Sequence, residues 1–352
     1  MAELFYTVSS NLHRTARIEK GEVVELDFEI PGKPSSLLGG IYLGRVVDVQ
    51  KPLRAAFVDM GEKKLGFLPV REGPLLPVKQ GDAVLVQVSR AENPLESKGV
   101  RLTRLITLSL GPLLYTPFMP GLSLSRKLKE RESFKNLFSL RPEEGLVVRH
   151  EASLEDPFLD MLFQLRGEWE AIQTHPPTKS PLCLSPGLPL LERVLRSLNS
   201  ADVLVMDDQR LANMTQGKAM VVRQPAFDER CADAWESLSS IEVSLPQGGN
   251  LYIEETQALV VIDVNSHGSL RHPLLFNKNA LREVFKQIRL RELGGKIVVD
   301  LIAPPKDIRL FLQEVSIPSH IEVLGLSHMG LFEMIGRKRR LSLPQRLKLG
   351  LN

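Results

Sequence analysis

The segment Ala258–Gly268, ALVVIDVNSHG, places an acid directly after a run of apolar residues. The run Leu259–Ile262 has the composition of a buried strand, and Asp263 follows it immediately. A carboxylate beside a buried strand costs free energy unless something satisfies its charge. A second segment, Gly294–Ile302 (GGKIVVDLI), repeats the arrangement with Asp300. Two acids in matching positions on two strands predict a shared role.

The residues between these strands have a helical pattern. Apolar residues recur at helical spacing from about Asn277 to Leu293, with Asn277 or Asn279 as the expected N-cap and Gly294-Gly295 as the expected end. Strand, helix and strand in succession predict a βαβ unit, in which the two strands are parallel. Parallel strands end at one sheet edge, where open α/β sheets bind ligands. We therefore expect the two acids to lie close together.

Two neighbouring carboxylates repel each other unless one is protonated or a cation lies between them. Mg²⁺ is typically held by one or two carboxylates, with waters and substrate phosphate completing the octahedron. Asn265 follows Asp263 by two residues, so it points to the same strand face and could orient an acid or a water. The pattern predicts a divalent-cation site at Asp263 and Asp300, supported by Asn265. The alternative is that each acid caps a loop or pairs with an arginine.

Composition restricts the class of protein. A chain of 352 residues with 43% hydrophobic and 25% charged residues is long enough for two or three globular domains. No apolar run approaches the roughly 20 residues of a membrane span, and the start lacks a secretory h-region. Cys183 and Cys231 form no CxxC pair, which is typical of free thiols in a reducing cytoplasm. The basic run Arg337–Arg340 predicts either a solvated tail or a phosphate contact.

Short strands separated by turns from Gly40 to about Ser109 predict a small barrel. Phe57 and Phe67 fall on neighbouring strands of this barrel. Aromatic rings among cations are how such barrels hold single-stranded nucleic acid, because bases stack and phosphates pair. The alternative is that both rings fill the barrel core. The basic residues around them are Arg45, Lys51, Arg54, Lys63 and Lys64.

Three further segments contribute candidates. EEGLVVRHEAS predicts a strand that ends at Arg149-His150, and a helix is expected from Leu154 to Gln173 with Trp169 in the core. ADVLVMDD predicts a buried strand that ends in Asp207-Asp208, two acids that either cap the next segment or bind a metal.

Four long segments resemble the ribonuclease E/G family, in the family's order and over nearly the whole chain. The first, Gly39–Pro69, resembles its RNA-binding OB-fold, and the other three resemble its catalytic region. These three are LPQGGNLYIEETQALVVIDVNS, FNKNALREVFKQIRLRELGGKIVVDLI and GLSHMGLFEM. The resemblance implies a cytoplasmic Mg²⁺-dependent endoribonuclease, with Mn²⁺ also usable, that cuts single-stranded RNA (an rRNA precursor or mRNA) to 5′-phosphate and 3′-hydroxyl products. Asp263 and Asp300 would ligate the metal and Asn265 would support them.

The resemblance also implies further binding residues and an architecture. Phe57 and Phe67 would stack on RNA, and Arg149 falls where the family recognises a 5′-monophosphate. The fold class is α/β (α+β multidomain), an RNase H-like subdomain with two inserted regions, followed by a DNase I-like catalytic subdomain. The expected bounds are 1–36 and 191–240 for the RNase H-like subdomain, 37–110 for the OB-fold, 111–190 for the 5′-sensor-like region and 241–352 for the catalytic subdomain.

The chain departs from the family pattern in three places. His150 stands where the family commonly has Thr, and Ala303 stands where it has a second acid three residues after the position of Asp300. The cysteine pair that zinc uses to link family subunits is absent, as is the small dimerisation domain that follows it, so we expect no structural zinc and a monomer or weak dimer instead of a zinc-linked tetramer. The alternatives are a catalytically weakened RNA-binding or ribosome-associated protein and a nuclease that acts on DNA.

Overall fold

The computed structural model of the chain describes residues 2–32, 36–69, 77–95, 98–177, 180–215, 220–223, 225–268, 272–302, 312–313, 315, 317–318 and 320–350. Ala303 lies outside the described residues. The chain forms two compact units. One consists mainly of Gly32–Val203, and the other combines Ala2–Pro31, Leu204–Met214 and Met220–Asn352.

The chain begins with three antiparallel strands, β1 (Ala2–Val8), β2 (His13–Glu19) and β3 (Glu22–Glu29). Lys20 and Gly21 join β2 to β3 in a two-residue turn with φ angles of 52° and 83°. Positive φ at both central residues fits the right-handed twist of a hairpin, and glycine adopts it without steric cost. The hairpin turn predicted at these two residues is confirmed.

The first unit contains a closed five-stranded barrel, as the sequence predicted. Its strands are paired in the order β4-β5-β6-β8-β7, and pairing of β7 with β4 closes the ring. The interior holds aliphatic side chains such as Val46, Val58, Leu68, Val86 and Leu102. The strands are β4 (Ile41–Gln50), β5 (Ala55–Asp59), β6 (Gly66–Pro69), β7 (Ala83–Arg90) and β8 (Arg101–Thr103).

A second sheet of this unit has the order β11-β12-β10-β9. The long helix α2 packs on its core through Leu162, Leu165 and Trp169, so the predicted core role of the tryptophan is confirmed. The helix begins four residues later than the sequence predicted. The elements are β9 (Leu108–Leu110), β10 (Leu113–Thr116), β11 (Gly121–Leu124), α1 (Arg131–Lys135), β12 (Gly145–Val148), α2 (Phe158–Gln173), β13 (Leu182–Ser185), which pairs with β4, and α3 (Leu190–Ser197).

In the second unit, the first three strands are completed by β14 (Val203–Met206) and β15 (Met220–Val222) in the order β15-β14-β1-β2-β3. The two acids after β14 are structural. Asp208 caps α4 (Gln209–Asn213) by accepting from the backbone N–H groups of Arg210 and Leu211. Asp207 accepts from the backbone N–H of Val8 at 2.9 Å and from the Thr7 hydroxyl. The capping interpretation is therefore confirmed for Asp208, whereas Asp207 binds the end of β1 instead of capping the next segment. Helix α5 (Glu229–Ser237) follows.

The remaining sheet has the strand order β16-β17-β18-β19-β21-β20. Strands β18 and β19 run parallel, as predicted, and the other neighbouring pairs run antiparallel. Helix α6 makes the crossover between the two parallel strands. The elements are β16 (Glu242–Ser244), β17 (Asn250–Glu255), β18 (Val260–Asn265), α6 (Pro273–Leu290), β19 (Gly295–Asp300), β20 (Ile321–Leu326), β21 (Phe332–Gly336) and α7 (Leu343–Leu349).

The predicted N-cap of α6 is wrong. The helix begins at Pro273, whose fixed φ suits the first helical position, so Asn277 lies inside the helix instead of before it. There Asn277 is fully buried, and its amide donates to the backbone carbonyl of Ile302 just beyond β19. A polar residue that resembled a cap therefore ties the helix to the strand that carries Asp300.

The last residue of the basic run Arg337–Arg340 is neither solvated nor free to bind phosphate, because it is paired with two carboxylates. Arg340 is 12% exposed and donates to Asp27 of β3 at 2.9 Å and to Glu292 at 2.7 Å. Arg346 of α7 lies beside it, 2% exposed, and contacts the same two carboxylates at 3.0 and 2.9 Å. Two cations and two anions thus neutralise one another in the interior, where an unpaired charge would be costly.

Candidate active site

The two predicted metal ligands are register partners. Strands β18 and β19 pair with Asp263 opposite Asp300, near the carboxyl end of β18 and at the carboxyl end of β19. Neighbouring strands lie about 4.8 Å apart, so both carboxylates leave the sheet within a few ångströms of each other. The prediction that the two acids meet at one sheet edge is confirmed.

Alternation along the strands explains why these side chains face outward. Along β18 burial alternates at every residue, with Val260, Ile262 and Val264 buried beneath the sheet. On β19 the buried positions are Ile297 and Val299. These residues share a core with the apolar face of α6, so the opposite face of the sheet carries Asp263, Asn265 and Asp300 in exposed positions.

Asn265 has a defined role in its own turn. Its side-chain oxygen accepts from the backbone N–H of His267 at 2.9 Å, and His267 has a φ of 51°. The chain therefore folds back immediately after β18, and the Asn265 side chain is fixed by its carbonyl oxygen. The amide nitrogen is the group of Asn265 that can donate to a ligand on the open face.

A polar network beside the acids was not recognised in the sequence. The Asn250 amide donates to Glu242 and contacts His267 Nε2 at 2.9 Å, while the Tyr252 hydroxyl contacts the same Glu242 carboxylate at 3.4 Å. The network depends on pairing between strands: Asn250 is the register partner of Asn265, and Tyr252 is the register partner of Asp263. Strand alternation predicts that these side chains face outward, but not which residues face each other.

The donor set at the sheet edge fits a hard divalent cation. Neither Asp263 nor Asp300 has an ion pair or hydrogen bond to any part of the chain that the structure describes. The described ranges also contain no group of three or more His, Cys, Asp or Glu side chains that could hold a metal. Two exposed carboxylates that leave most coordination positions to water and substrate match the preference of Mg²⁺.

The aromatic pair lies on the outside of the barrel. Phe57 and Phe67 are register partners on β5 and β6, with ring centroids 6.0 Å apart and planes at 76°. Both side chains are partly exposed, and the barrel core is formed without them. The alternative that both rings fill the core is therefore wrong, because strand alternation directs Val58 and Leu68 inward instead.

Two of the basic residues expected around the rings have partners elsewhere. Arg45 donates to the backbone carbonyl of Gly81 at 2.9 Å, and Lys64 pairs with Glu92. Two arginines outside that set continue the row of paired residues: Arg101 is the partner of Phe67, and Arg90 is the partner of Arg101. A row of two rings and two guanidinium groups therefore crosses β5, β6, β8 and β7.

Arg149 follows the end of β12 and is exposed. Its backbone N–H donates to the carbonyl of Pro112 at 2.9 Å, which fixes where the chain leaves the sheet. The neighbouring His150 lies 3.3 Å from the Glu151 carboxylate, measured from Nδ1. Strand β11 runs parallel to β12, so the basic residues Arg126 and Lys127 follow the adjacent strand end. The site residue predicted here thus stands at an exposed, basic sheet edge.

No helix within the described ranges is long and apolar enough to cross a membrane.

Comparison with known proteins gives one family. A profile described as the ribonuclease E/G family matches residues 111–340. Ribonuclease E of Synechocystis sp. is 33% identical over 350 residues, which cover 84% of this chain and 50% of that protein. Ribonuclease G of Escherichia coli is 29% identical over 406 residues, which cover 97% of this chain and 81% of that protein.

Ribonuclease E of Escherichia coli is 29% identical over 385 residues, which cover 94% of this chain and 36% of that protein. The chain therefore spans most of the length of the ribonuclease G, but half or less of the two ribonuclease E proteins.

Proposed function

The chain belongs to the ribonuclease E/G family, and on this premise we propose that it is an endoribonuclease that cleaves single-stranded RNA in a Mg²⁺-dependent reaction. The observation that carries the proposal is the direct register of Asp263 with Asp300 on an open sheet face. The expected products carry a 5′-phosphate and a 3′-hydroxyl, and the expected substrates are rRNA precursors or mRNA in the cytoplasm. Mn²⁺ is expected to replace Mg²⁺.

In this proposal the protein's own residues bind and position the scissile phosphate. Asp263 and Asp300 would hold the cation, and the Asn265 amide would donate a hydrogen bond to a phosphoryl oxygen or to the attacking water. When bound, the cation would lower the pKa of a water and neutralise charge on the phosphoryl oxygens. Because both acids are exposed, the phosphate can approach from solvent without any rearrangement of the sheet.

Two remote surfaces would supply affinity. The Phe57–Phe67 pair offers ring surface for base stacking, and the Arg101–Arg90 extension offers positive charge along the same row. Arg149 would bind the 5′-monophosphate end of the RNA through charge-assisted hydrogen bonds. We also propose the RNase H-like, 5′-sensor-like and DNase I-like assignments of the regions that surround the barrel, and a monomer or weak dimer without structural zinc.

The decisive experiment follows cleavage of a labelled single-stranded RNA with Mg²⁺, with Mn²⁺ and with a chelator, and determines the chemistry of the new ends. We expect cleavage only with a divalent cation, and products that a 5′-phosphate-dependent exonuclease degrades. Cleavage in the presence of the chelator, or 2′,3′-cyclic phosphate ends, would contradict the proposal. RNA binding without cleavage would favour the catalytically weakened RNA-binding protein, and faster cleavage of the matching DNA would favour a DNA nuclease.

Direct cation binding provides a second readout that does not depend on activity. A cation that binds only the folded state stabilises it by about 2.7 kcal/mol at a concentration one hundred times its Kd. We therefore expect Mn²⁺ to raise the thermal unfolding midpoint of the wild type. The Asp263→Asn/Asp300→Asn double variant should show no such rise.

A further inference from the structure

An aromatic ring lies directly beside the acid pair. Tyr252 of β17 is the register partner of Asp263, which is itself the partner of Asp300, so the three side chains form one row across three strands. Side chains of directly paired residues leave a sheet on the same face. The Tyr252 ring therefore shares the open face with both carboxylates, next to the proposed phosphate position.

The ring is held in place but not covered. Tyr252 is partly exposed, whereas its strand neighbours Leu251 and Ile253 are buried in the core. Its hydroxyl contacts the Glu242 carboxylate, and Glu242 also accepts from the Asn250 amide. These contacts anchor the edge of the ring at its hydroxyl end. Within the described ranges the ring has no aromatic or cation–π partner, so its face is open to a ligand.

The ring is also exceptional on this surface. The described outward-facing strand positions of the sheet carry acids, amides, a serine, a lysine and aliphatic side chains, and Tyr252 is their aromatic residue. Phe276 of α6 and Phe332 of β21 face the core instead. A lone ring beside two carboxylates does not help to hold a cation, so its chemistry points to the organic part of the substrate.

We propose that Tyr252 stacks on the base of a nucleotide adjacent to the scissile phosphate and thereby positions that phosphate at Asp263 and Asp300. This inference deepens the proposed function and rests on it. Stacking accepts any base because every base has a π-face, so the subsite would select for an unpaired nucleotide instead of a particular sequence. A paired base could not turn its face toward the ring without breaking its stack. Tyr252 is thus a positioning residue that favours single-stranded RNA at the point of cleavage.

The test combines removal of the ring with removal of the base. Single-turnover cleavage is measured for the wild type, Tyr252→Phe and Tyr252→Val, on RNAs that carry one abasic position on either side of the cleavage site. We expect one abasic position to slow the wild type and Tyr252→Phe about tenfold. Tyr252→Val should be slow on intact RNA and should lose no further rate at that position. If the abasic RNA slows Tyr252→Val as much as the wild type at every position, the inference is wrong.

A second measurement separates this inference from the proposed function. RNA with 2-aminopurine at the abasic-sensitive position, or at each position in turn, is bound to the wild type and to Tyr252→Val in the presence of a chelator. We expect the wild type and Tyr252→Phe to quench the fluorescence by stacking, and Tyr252→Val to leave it unquenched. Equal fluorescence in all three complexes would overturn the inference even if RNA is cleaved, whereas quenching without cleavage would overturn only the proposed function. Thermal midpoints of the variants identify any loss of folding.

Discussion

The barrel and the six-stranded sheet each bring two side chains together by cross-strand pairing, but one pair attracts and the other repels. In each, two candidate site residues are direct register partners on neighbouring strands: Phe57 with Phe67, and Asp263 with Asp300. The two rings attract each other in a T-shaped contact with centroids 6.0 Å apart. The two acids repel each other, by about 1 kcal/mol for charges 4 Å apart in water.

This difference shows what each pair requires from a ligand. The aromatic pair is favourable without a ligand, so RNA bound there, as proposed, would only add contacts. In the proposed metal site, a cation between the carboxylates would offset their repulsion. Cross-strand register therefore yields one pair of side chains that is favourable by itself and one pair that a cation would stabilise.

The largest effect is expected from the acid pair. Asp263→Asn or Asp300→Asn should lower the single-turnover cleavage rate at least about a hundredfold, because each removes a charge that the proposed cation requires. The stability of the fold should not fall, since both side chains are exposed and their repulsion is relieved.

A matched control is Asp208→Asn, at another acid that follows a strand end. Asp208 caps α4, and asparagine caps as well as aspartate does, so both rate and stability should stay at wild-type values. A wild-type cleavage rate in either variant of the acid pair would mean that these carboxylates do not hold a cation needed for cleavage.

Substitution of the aromatic pair should have an intermediate effect, and only on the affinity for RNA. Phe57→Ala and Phe67→Ala should weaken binding of single-stranded RNA about 5- to 150-fold, since stacking contributes about 1–3 kcal/mol per base. Fluorescence anisotropy at one fixed salt concentration measures it.

The buried neighbour Leu68 is the control for this pair. Leu68 is 1% exposed, so Leu68→Ala should instead destabilise the barrel by about 2–5 kcal/mol. If Phe57→Ala destabilises the barrel as much as Leu68→Ala does, the rings belong to the barrel core instead of forming a separate binding surface.

A smaller effect is expected at Arg149, outside both pairs. Arg149→Gln should abolish most of any preference for 5′-monophosphate over 5′-hydroxyl RNA, about tenfold for one charge-assisted hydrogen bond. Lys135→Gln, on the surface of α1 where it pairs with Glu132, is the control and should keep that preference. Rates on the two RNAs are compared for each variant; an unchanged ratio in Arg149→Gln would mean that the 5′ end is bound elsewhere.

The smallest effect is expected at Glu19, an acid that, unlike the acid pair, is already paired with a cation of the protein. A bidentate hydrogen bond from Arg289, at 2.9 and 2.7 Å, holds the pKa of Glu19 at about 2, below its usual value of 4.5. A lowered folded-state pKa contributes stability above pH 4.5, and this contribution disappears as the pH falls from 4.5 toward 2.

Urea midpoints of the wild type and Glu19→Gln should therefore converge over that pH range. Midpoints of Glu19→Gln that differ from the wild type by the same amount at every pH would contradict the assignment.

Much of the candidate site could be predicted from the sequence because it depends on local patterns. Alternation and the βαβ succession brought Asp263 and Asp300 together, and the Lys20-Gly21 turn and the small barrel were also correctly predicted. The errors have a common origin. Asn277 resembles an N-cap, but Pro273 starts the helix earlier and tertiary contact with Ile302 uses the amide.

Other features depended on residues distant in the chain. The sequence left Arg340 as part of a solvated tail or a phosphate contact because its partners, Asp27 and Glu292, are far away in sequence. The sequence could not decide whether Phe57 and Phe67 face the core, because either phase of the alternation fits a short strand. Only the closed barrel selects the phase in which Val58 and Leu68 point inward.

The sequence by itself determined the first hairpin, the strands of the small barrel and the βαβ unit, in which two acids lie near the ends of two parallel strands. The tertiary structure decided which side chains face one another: Tyr252 with Asp263, Arg101 with Phe67, and the paired charges around Asp27. The physical reason is that alternation is a property of a single strand. Register, in contrast, is set by the hydrogen-bonded ladder between strands and by the buried face that both strands share.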